Sequence, residues 1–199
     1  MGGAEMILRL ILAILLLPSL LYAGQGCGPG PGFAMPAAAS CETVEQSATV
    51  GTSATTVGNG TNLKLSHSFL ASSTYNLCKA IYKMAKTGSP TFDIAVELWS
   101  DNGSAVPNAK IGDLGTINAA GLASDAAPED ETFTIASPIA LTSGVRYHVI
   151  FSAATGGDVS NYVRVYRSTS GTEKLYFWTG ASWGTAIDGS STLYYYHYK

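Results

Sequence analysis

The chain has 199 residues, a net charge of −3 and only 13% charged residues. Its lysines and arginines occur singly, so the sequence lacks the basic surface that is typical of nucleic-acid-binding proteins. Low charge combined with frequent Gly, Thr, Ser and Tyr residues is instead typical of extracellular β proteins.

The first 23 residues have the organisation of a secretory signal peptide with a helical leader. Arg9 precedes an apolar run, residues 10–21, which Pro18 interrupts and which is shorter than the roughly 20 residues needed to span a bilayer. Small residues follow, and the pattern predicts cleavage after Ala23. Two alternatives stay open, an uncleaved N-terminal anchor and a lipidated Cys27, although the leucine expected three residues before a lipidated cysteine is absent.

Residues 24–40 are predicted to be a flexible spacer. Gly, Pro and Ala are so dense in this segment that neither a helix nor a sheet ladder is expected. The remaining residues, 41–199, have a size that suits one folded domain.

The segment from Thr91 to Ser104 sets the pattern for this domain. Apolar side chains alternate with a mixed set from Phe92 to Trp99, which is the period of a half-buried antiparallel strand. The strand is predicted to end at Asp101-Asn102-Gly103, because these residues tolerate a positive φ and favour a turn.

Similar patterns predict the other strands. In chain order they fall at residues 42–50, 63–69, 75–86, 111–117, 131–135, 145–151, 161–167, 174–178 and 193–198. Residues 52–61 and 118–129 are predicted loops, and Pro138 with residues 141–144 is predicted to make a corner. The inward faces of two strands are expected to carry Cys78, Ala80, Tyr82 and Met84, and Val145, Tyr147, Val149 and Phe151, respectively. About nine or ten strands without helical periodicity predict an all-β, two-sheet antiparallel β-sandwich.

Several motifs between Leu63 and Tyr198 carry a family resemblance. They are Leu-Ser-His-Ser-Phe at 65–69, the run at 88–103, Val-Pro-Asn-Ala at 106–109, Leu-Thr-Ser-Gly-Val-Arg-Tyr-His-Val-Ile at 141–150, Asn-Tyr at 161–162 and the aromatic hairpin at 176–183. They resemble secreted bacterial jelly-roll modules known as choice-of-anchor domains. The resemblance implies a two-sheet jelly roll similar to carbohydrate-binding modules, with no enzyme activity and no established ligand. Asn108 departs from the glycine that is common there, and the Cys41/Cys78 pair is unusual for the family.

The three cysteines are Cys27, Cys41 and Cys78. An exported protein permits disulfides, and a Cys41–Cys78 bond would tie the first strand to the sheet, with a stabilisation of roughly 4 kcal/mol from loop entropy. Cys27 would then remain in the spacer for intermolecular pairing or modification. The spacings do not match a zinc site.

The histidines and carboxylates do not predict a catalytic or metal site. His67, His148 and His197 lie on different strands; their convergence on a metal ion is an alternative, but the apolar surroundings of His67 favour a hydrogen-bonded core residue. Asp93 and Glu97 share a strand face about 13 Å apart, which exceeds the spacing used in glycoside hydrolysis. No catalytic residue, metal ligand or cofactor is therefore predicted.

A structural calcium ion is the one option kept open, because jelly-roll loops often bind calcium through oxygen ligands. The candidate ligands are Asp101, Asn102, Asp113, Asp125, Glu129 and Asp130.

Aromatic side chains give the only positive indication of function. Trp99 interrupts the polar row of its strand, and many aromatic residues crowd the C-terminal end. Alternation there places Tyr194, Tyr196 and Tyr198 on one face and Leu193, Tyr195 and His197 on the other, and one row is expected to be core. Exposed aromatic rows suit stacking on sugar rings or docking of a protein.

These patterns predict a secreted or cell-surface, non-catalytic module that binds a polysaccharide or cell-surface glycan. The predicted ligand-binding residues are Trp99, Trp178, Trp183, Tyr194 and Tyr196. The alternative is a self-associating structural subunit of an extracellular filament, coat or adhesin, and a hydrolase ranks last. Neither a nucleic-acid partner nor a membrane attachment beyond the signal peptide is expected.

Overall fold

Twelve β-strands make up most of the part of the chain that the structure describes. The computed structural model describes residues 41–48, 51–153, 156–168, 173–178, 180–184 and 192–199. In chain order the strands are β1 (Val44–Ala48), β2 (Ser53–Val57), β3 (Lys64–Leu70), β4 (Tyr75–Thr87), β5 (Asp93–Asp101), β6 (Pro107–Asn118), β7 (Glu129–Leu141), β8 (Arg146–Ala153), β9 (Tyr162–Ser168), β10 (Leu175–Trp178), β11 (Thr192–Leu193) and β12 (Tyr195–Tyr198). A short 3-10 helix spans Ala119–Gly121. The predicted signal peptide and spacer, residues 1–40, lie outside the described residues.

The strands form two antiparallel sheets. In the seven-stranded sheet the order is β1-β12-β4-β9-β11, with β2 also paired to β9 and β7 to β4. The order in the five-stranded sheet is β10-β3-β8-β5-β6. The all-β, two-sheet antiparallel prediction is therefore confirmed, with twelve strands in the described residues where the sequence indicated nine or ten.

A single hydrophobic core joins the two sheets. The five-stranded sheet contributes Leu65, Phe69, Ile94, Val96, Leu98, Val149 and Phe151, and the seven-stranded sheet contributes Leu77, Ala80, Tyr82, Met84, Val163, Val165, Leu193 and Tyr195. The side chains predicted to form the apolar face of β5 are all buried. Because strand side chains alternate, the intervening residues of both sheets point outward and form the two outer faces of the sandwich.

Strand β2 corrects the prediction of a loop at residues 52–61. Its five residues pair with β9 from Ser53–Arg167 to Val57–Val163. Val57 is fully buried and Thr55 is nearly so. Hydrogen bonds to β9 stabilise this strand, and the β-branched side chains suit a pleated sheet even though the segment has few large apolar residues.

A bulge in β4 corrects part of the predicted inward face. The pairing with β7 passes from Leu77–Ile139 to Lys79–Thr134, so the register shifts at this point. As a result Leu77 enters the core, while Cys78 is only half-buried. A bulge changes which side chains face inward without ending the strand.

Two further predictions at turns need correction. The predicted corner falls after β7, where residues 143–144 form a turn, whereas Pro138 lies within β7 among residues that the register shift leaves unpaired. Val145 was expected to face inward but is 41% exposed. It belongs to a turn, in which its own backbone N–H donates to the Thr142 carbonyl. The inward positions Tyr147, Val149 and Phe151 are buried as predicted.

The structure joins Cys41 and Cys78 by a disulfide. The bond connects the residues just before β1 to β4, two strands that lie on either side of β12. Within the described residues, no helix has both the length and the hydrophobicity to cross a bilayer.

Candidate functional site

The five predicted ligand-binding residues lie on opposite outer faces of the sandwich. Trp99 follows the core residue Leu98 on β5, and Trp178 alternates with the core residue Leu175 on β10, so both indoles lie on the outer face of the five-stranded sheet. Tyr194 and Tyr196 flank the buried Tyr195 and lie on the outer face of the seven-stranded sheet. They therefore cannot form a single site.

We call the first surface the tryptophan face, defined by Trp99, Trp178, Trp183 and Lys64. Strand register places Trp178 directly beside Lys64, in a row that continues through Ser152 to Ala95. Trp99 lies four residues beyond Ala95 on the same outward face of β5. The Lys64 ammonium lies 5.8 Å from the centroid of the Trp178 ring and 5.9 Å from that of Trp99. These distances are within the range of cation–π interactions, so one lysine links indoles from two non-adjacent strands.

Trp99 is oriented by a chain of polar contacts. Its indole N–H donates to Glu97 Oε2 at 2.9 Å, and Glu97 Oε1 accepts a hydrogen bond from Lys110 Nζ at 2.8 Å. Lys110 also pairs with Asp113 at 2.6 Å. Hydrogen bonds to Asp113 and then Glu97 raise the pKa of the Lys110 ammonium. The ring is half-buried, so it has a fixed orientation and still presents surface to solvent.

Trp183 joins the face because residues 180–184 fold back beside β10. Trp183 forms an isolated antiparallel bridge with Trp178, and the Gly184 N–H donates to the Phe177 carbonyl at 2.7 Å. The two indoles meet edge to face with centroids 5.4 Å apart. Both rings are half-buried, so all three tryptophans of the chain lie together on one surface.

Sequence reasoning did not single out Lys64. Its position between Leu63 and Leu65 at the start of an alternating strand indicates an outward side chain. Its closeness to two tryptophans, however, depends on the pairing of β10, β3, β8 and β5, which are far apart in the sequence.

A second cluster on this outer face has the order of a serine hydrolase triad. His148 Nδ1 lies 3.0 Å from Ser66 Oγ, and His148 Nε2 lies 2.8 Å from Asp101 Oδ2. Ser66 and His148 are both 0% exposed, and the buried Tyr176 ring lies near His148, with centroids 6.3 Å apart and the rings tilted by 60°. A nucleophile has to reach its substrate, so the buried Ser66 is not placed for catalysis.

The same cluster has a clear structural role. Asp101 also accepts a hydrogen bond from the Gly103 N–H at 2.6 Å, so its carboxylate holds the predicted Asp-Asn-Gly turn. Burial raises the pKa of Asp101, but hydrogen bonds from His148 and Gly103 outweigh it and the pKa is lowered. Burial lowers the pKa of His148. A neutral imidazole thus connects β3, β8 and the end of β5.

We call the second surface the tyrosine face, defined by Tyr194, Tyr196 and Tyr198. Tyr194 is only 6% exposed, and its hydroxyl donates to Asp130 Oδ2 at 3.2 Å. Its burial argues against the predicted role in stacking on a ligand. Tyr196 and Tyr198 are half-buried, and Lys79 Nζ lies 3.8 Å from the Tyr198 ring centroid. The expected core row of Leu193, Tyr195 and His197 is buried, and Tyr196 and Tyr198 of the other row are partly exposed. Tyr194 is the exception, because it belongs to the second row and is nevertheless buried.

The three histidines do not converge. His67 and His197 are buried between the sheets, whereas His148 lies under the tryptophan face. His67 Nε2 is 2.6 Å from Glu173 Oε2, and His197 Nε2 is 3.0 Å from the Tyr82 hydroxyl. These partners fit the hydrogen-bonded core role that the sequence indicated for His67.

The calcium candidates are also dispersed. Asp113 pairs with Lys110 on the five-stranded sheet, whereas Asp125 pairs with Arg164 and Asp130 with Lys83 beside the seven-stranded sheet. Among the described residues, no group of three His, Cys, Asp or Glu side chains is arranged to hold a metal ion.

No protein-family model matches the chain. No curated protein matches it either. The chain is similar to the crystal structure of the cysteine protease and lectin-like domains of Cwp84, a surface layer associated protein of Clostridium difficile. The match has 12% sequence identity and a TM-score of 0.46, and it covers 68% of this chain and 32% of that chain, so it spans about a third of the length of that protein.

Proposed function

We propose that this protein is a secreted or cell-surface, non-catalytic module that binds carbohydrate through the tryptophan face. The observation that carries the proposal is that Lys64 lies near both Trp99 and Trp178 on one outer sheet face, where Trp183 packs edge to face on Trp178. Half-buried indoles on a sheet present apolar ring faces with polar edges, which suit stacking on the C–H surface of a sugar ring. The Cys41–Cys78 disulfide supports an oxidising, extracellular location.

The polar groups of this face support binding without catalysis. Glu97 is engaged by Trp99 and Lys110, and Asp93 accepts a hydrogen bond from the Asn118 side chain at 2.8 Å. Both carboxylates therefore hold neighbouring side chains in place. A pair of free carboxylates at hydrolytic spacing would be expected in a glycosidase.

The test is a polysaccharide and glycan-array binding assay with Trp178→Ala and the matched control Tyr196→Ala. Both substitutions remove a half-buried outer-face aromatic ring, but on opposite sheets. We expect Trp178→Ala to weaken binding by about 30-fold, since aromatic hot spots contribute about 2 kcal/mol or more. We expect Tyr196→Ala to bind as the native protein does.

Circular dichroism and a thermal melt of each variant verify that the fold is retained. Binding that survives Trp178→Ala and is lost in Tyr196→Ala would move the site to the tyrosine face. Absence of binding to any glycan by the native protein would refute the proposal.

The second candidate is a structural subunit that self-associates in an extracellular filament or coat. The observation that favours it is the presence of two different aromatic surfaces on opposite sides of one sandwich, which suits head-to-tail contacts between copies. Analytical ultracentrifugation over a range of concentrations separates the two. The structural role is supported if the native protein assembles but binds no glycan, and if Trp178→Ala and Tyr196→Ala each abolish the assembly.

A further inference from the structure

We propose that the tryptophan face selects glycans that carry anionic groups, with the Lys64 ammonium as the anion-binding group. This inference depends on the proposed function, because it names the ligand class of the same site. The shared chemistry of the ligand is a sugar ring that bears a carboxylate or sulfate group.

The position of Lys64 is the first reason. Its ammonium is within 6 Å of both the Trp99 and the Trp178 ring centroids, so it lies at the centre of the aromatic surface. A sugar that stacks on either indole places its ring substituents near this ammonium. Because indole faces partly exclude water, an ion pair formed there is stronger than one on an open surface.

The charge pairing around Lys64 is the second reason. The carboxylates of this outer face already have partners: Glu97 and Asp113 pair with Lys110, and Asp101 pairs with His148. Within the described residues, Lys64 forms no salt bridge with any of these acids, and the two indole rings lie near its ammonium. The positive charge is therefore directed toward a ligand that lies on the indoles.

The row of small residues beside Lys64 is the third reason. Ser152 and Ala95 follow it across the sheet, at positions where β8 and β5 pair. Their short side chains leave Lys64 and Trp178 as the largest residues of this row. A flat ring can approach the ammonium from this side, whereas larger neighbours would block it.

The experiment measures binding of the protein to polygalacturonate, to its fully methyl-esterified form, to dextran sulfate and to neutral dextran. The variants are Lys64→Gln, Lys64→Arg and the matched control Lys79→Gln. Lys79→Gln removes the same charge and a similar cation–π contact, but it lies on the tyrosine face, where its ammonium is 3.8 Å from the Tyr198 ring centroid.

We expect the native protein to prefer an anionic polymer over its neutral counterpart. Lys64→Gln should weaken that binding about tenfold to a hundredfold, the range for loss of a charge-assisted hydrogen bond. Lys64→Arg should stay within a few-fold of native, and Lys79→Gln should match native. Comparison with the methyl-esterified polymer separates recognition of the carboxylate from recognition of the sugar chain itself. Dextran sulfate shows whether a sulfate group can replace the carboxylate.

The anion inference would be overturned if the native protein bound anionic and neutral polymers equally, and if Trp178→Ala abolished this binding while Lys64→Gln left it unchanged. The proposed function would then still stand. Equal weakening by Lys64→Gln and Lys79→Gln would also overturn the anion inference, because a general charge effect would explain both. Native protein that binds none of the four polymers and no glycan on the array would refute the proposed function and the inference together.

Discussion

Protonation of His197 is expected to destabilise the fold in mild acid. The imidazole is 0% exposed and contacts the hydroxyls of Tyr82 at 3.0 Å and Tyr75 at 3.5 Å. Burial, with a smaller effect from His67, lowers the pKa of His197 from 6.5 to about 3. In the unfolded chain the ring returns to its ordinary pKa near 6.5.

The sign follows from proton linkage. Between pH 6.5 and about 3, the unfolded chain binds a proton at His197 that the folded protein does not, so the free energy of unfolding falls as the pH falls. The stability that neutral His197 contributes is fully present above pH 6.5, and it is lost as the pH falls to the folded-state pKa of about 3. At 1.36 kcal/mol per pKa unit, the cost is on the order of 3 kcal/mol at pH 4.5, a large share of typical domain stability.

The assay is urea denaturation of the native protein and of His197→Gln at pH 7 and at pH 4.5. Glutamine does not titrate and retains an amide that can hydrogen-bond to the Tyr82 hydroxyl. We expect the native protein to lose about 3 kcal/mol more than the variant between the two pH values. Asp101 and His148, whose pKa values are lowered and which lie on the outer face of the other sheet, add acid sensitivity equally to both proteins. The same loss in both proteins would refute the assigned role of His197.

Three further substitutions test the fold. Reducing the Cys41–Cys78 bond, or replacing both cysteines by serine, should lower the free energy of unfolding by about 4 kcal/mol through loop entropy, measured by urea denaturation with and without reductant. Phe69→Ala should cost about 3–5 kcal/mol, because the ring is fully buried in the core, and a fall in melting temperature of only a degree or two would contradict this. Gly58→Ala should lower the free energy of unfolding by about 2 kcal/mol or more, since Gly58 has φ +76° and an added Cβ would lie 2.5 Å from Phe92 Cζ. If Gly58→Ala costs less in a Phe92→Leu background than in the native protein, the contact with the Phe92 ring is the cause.

Local alternation predicted much of the fold. The alternating apolar side chains from Phe92, just before β5, to Leu98 are buried. A period of two places them all on one face of the strand, which packs against the core. The break between β11 and β12 at Tyr194 and the bulge in β4 after Leu77 were not predictable, since each depends on the neighbouring strand.

The candidate site was predictable only in part. Tryptophan content drew attention to Trp99 and Trp178, but nothing in the sequence places them beside Lys64. Those three residues come from strands that join through β8, and such long-range pairing leaves no local pattern. The Ser66–His148 contact was missed for the same reason.

The position of β12 between β1 and β4 has a consequence for how the sheet is completed. Its neighbours β1 and β4 are made early, yet the strand that fills the gap between them contains Tyr195 to Tyr198. Until then, both neighbours present unpaired edges, and the core lacks the rings of Tyr195 and His197. The disulfide from Cys41 to Cys78 bridges this gap, and Cys78 Sγ lies 3.3 Å from the Tyr198 carbonyl oxygen. A disulfide formed before β12 pairs would hold β1 and β4 near each other, and so would lower the entropy cost of completing this part of the sheet.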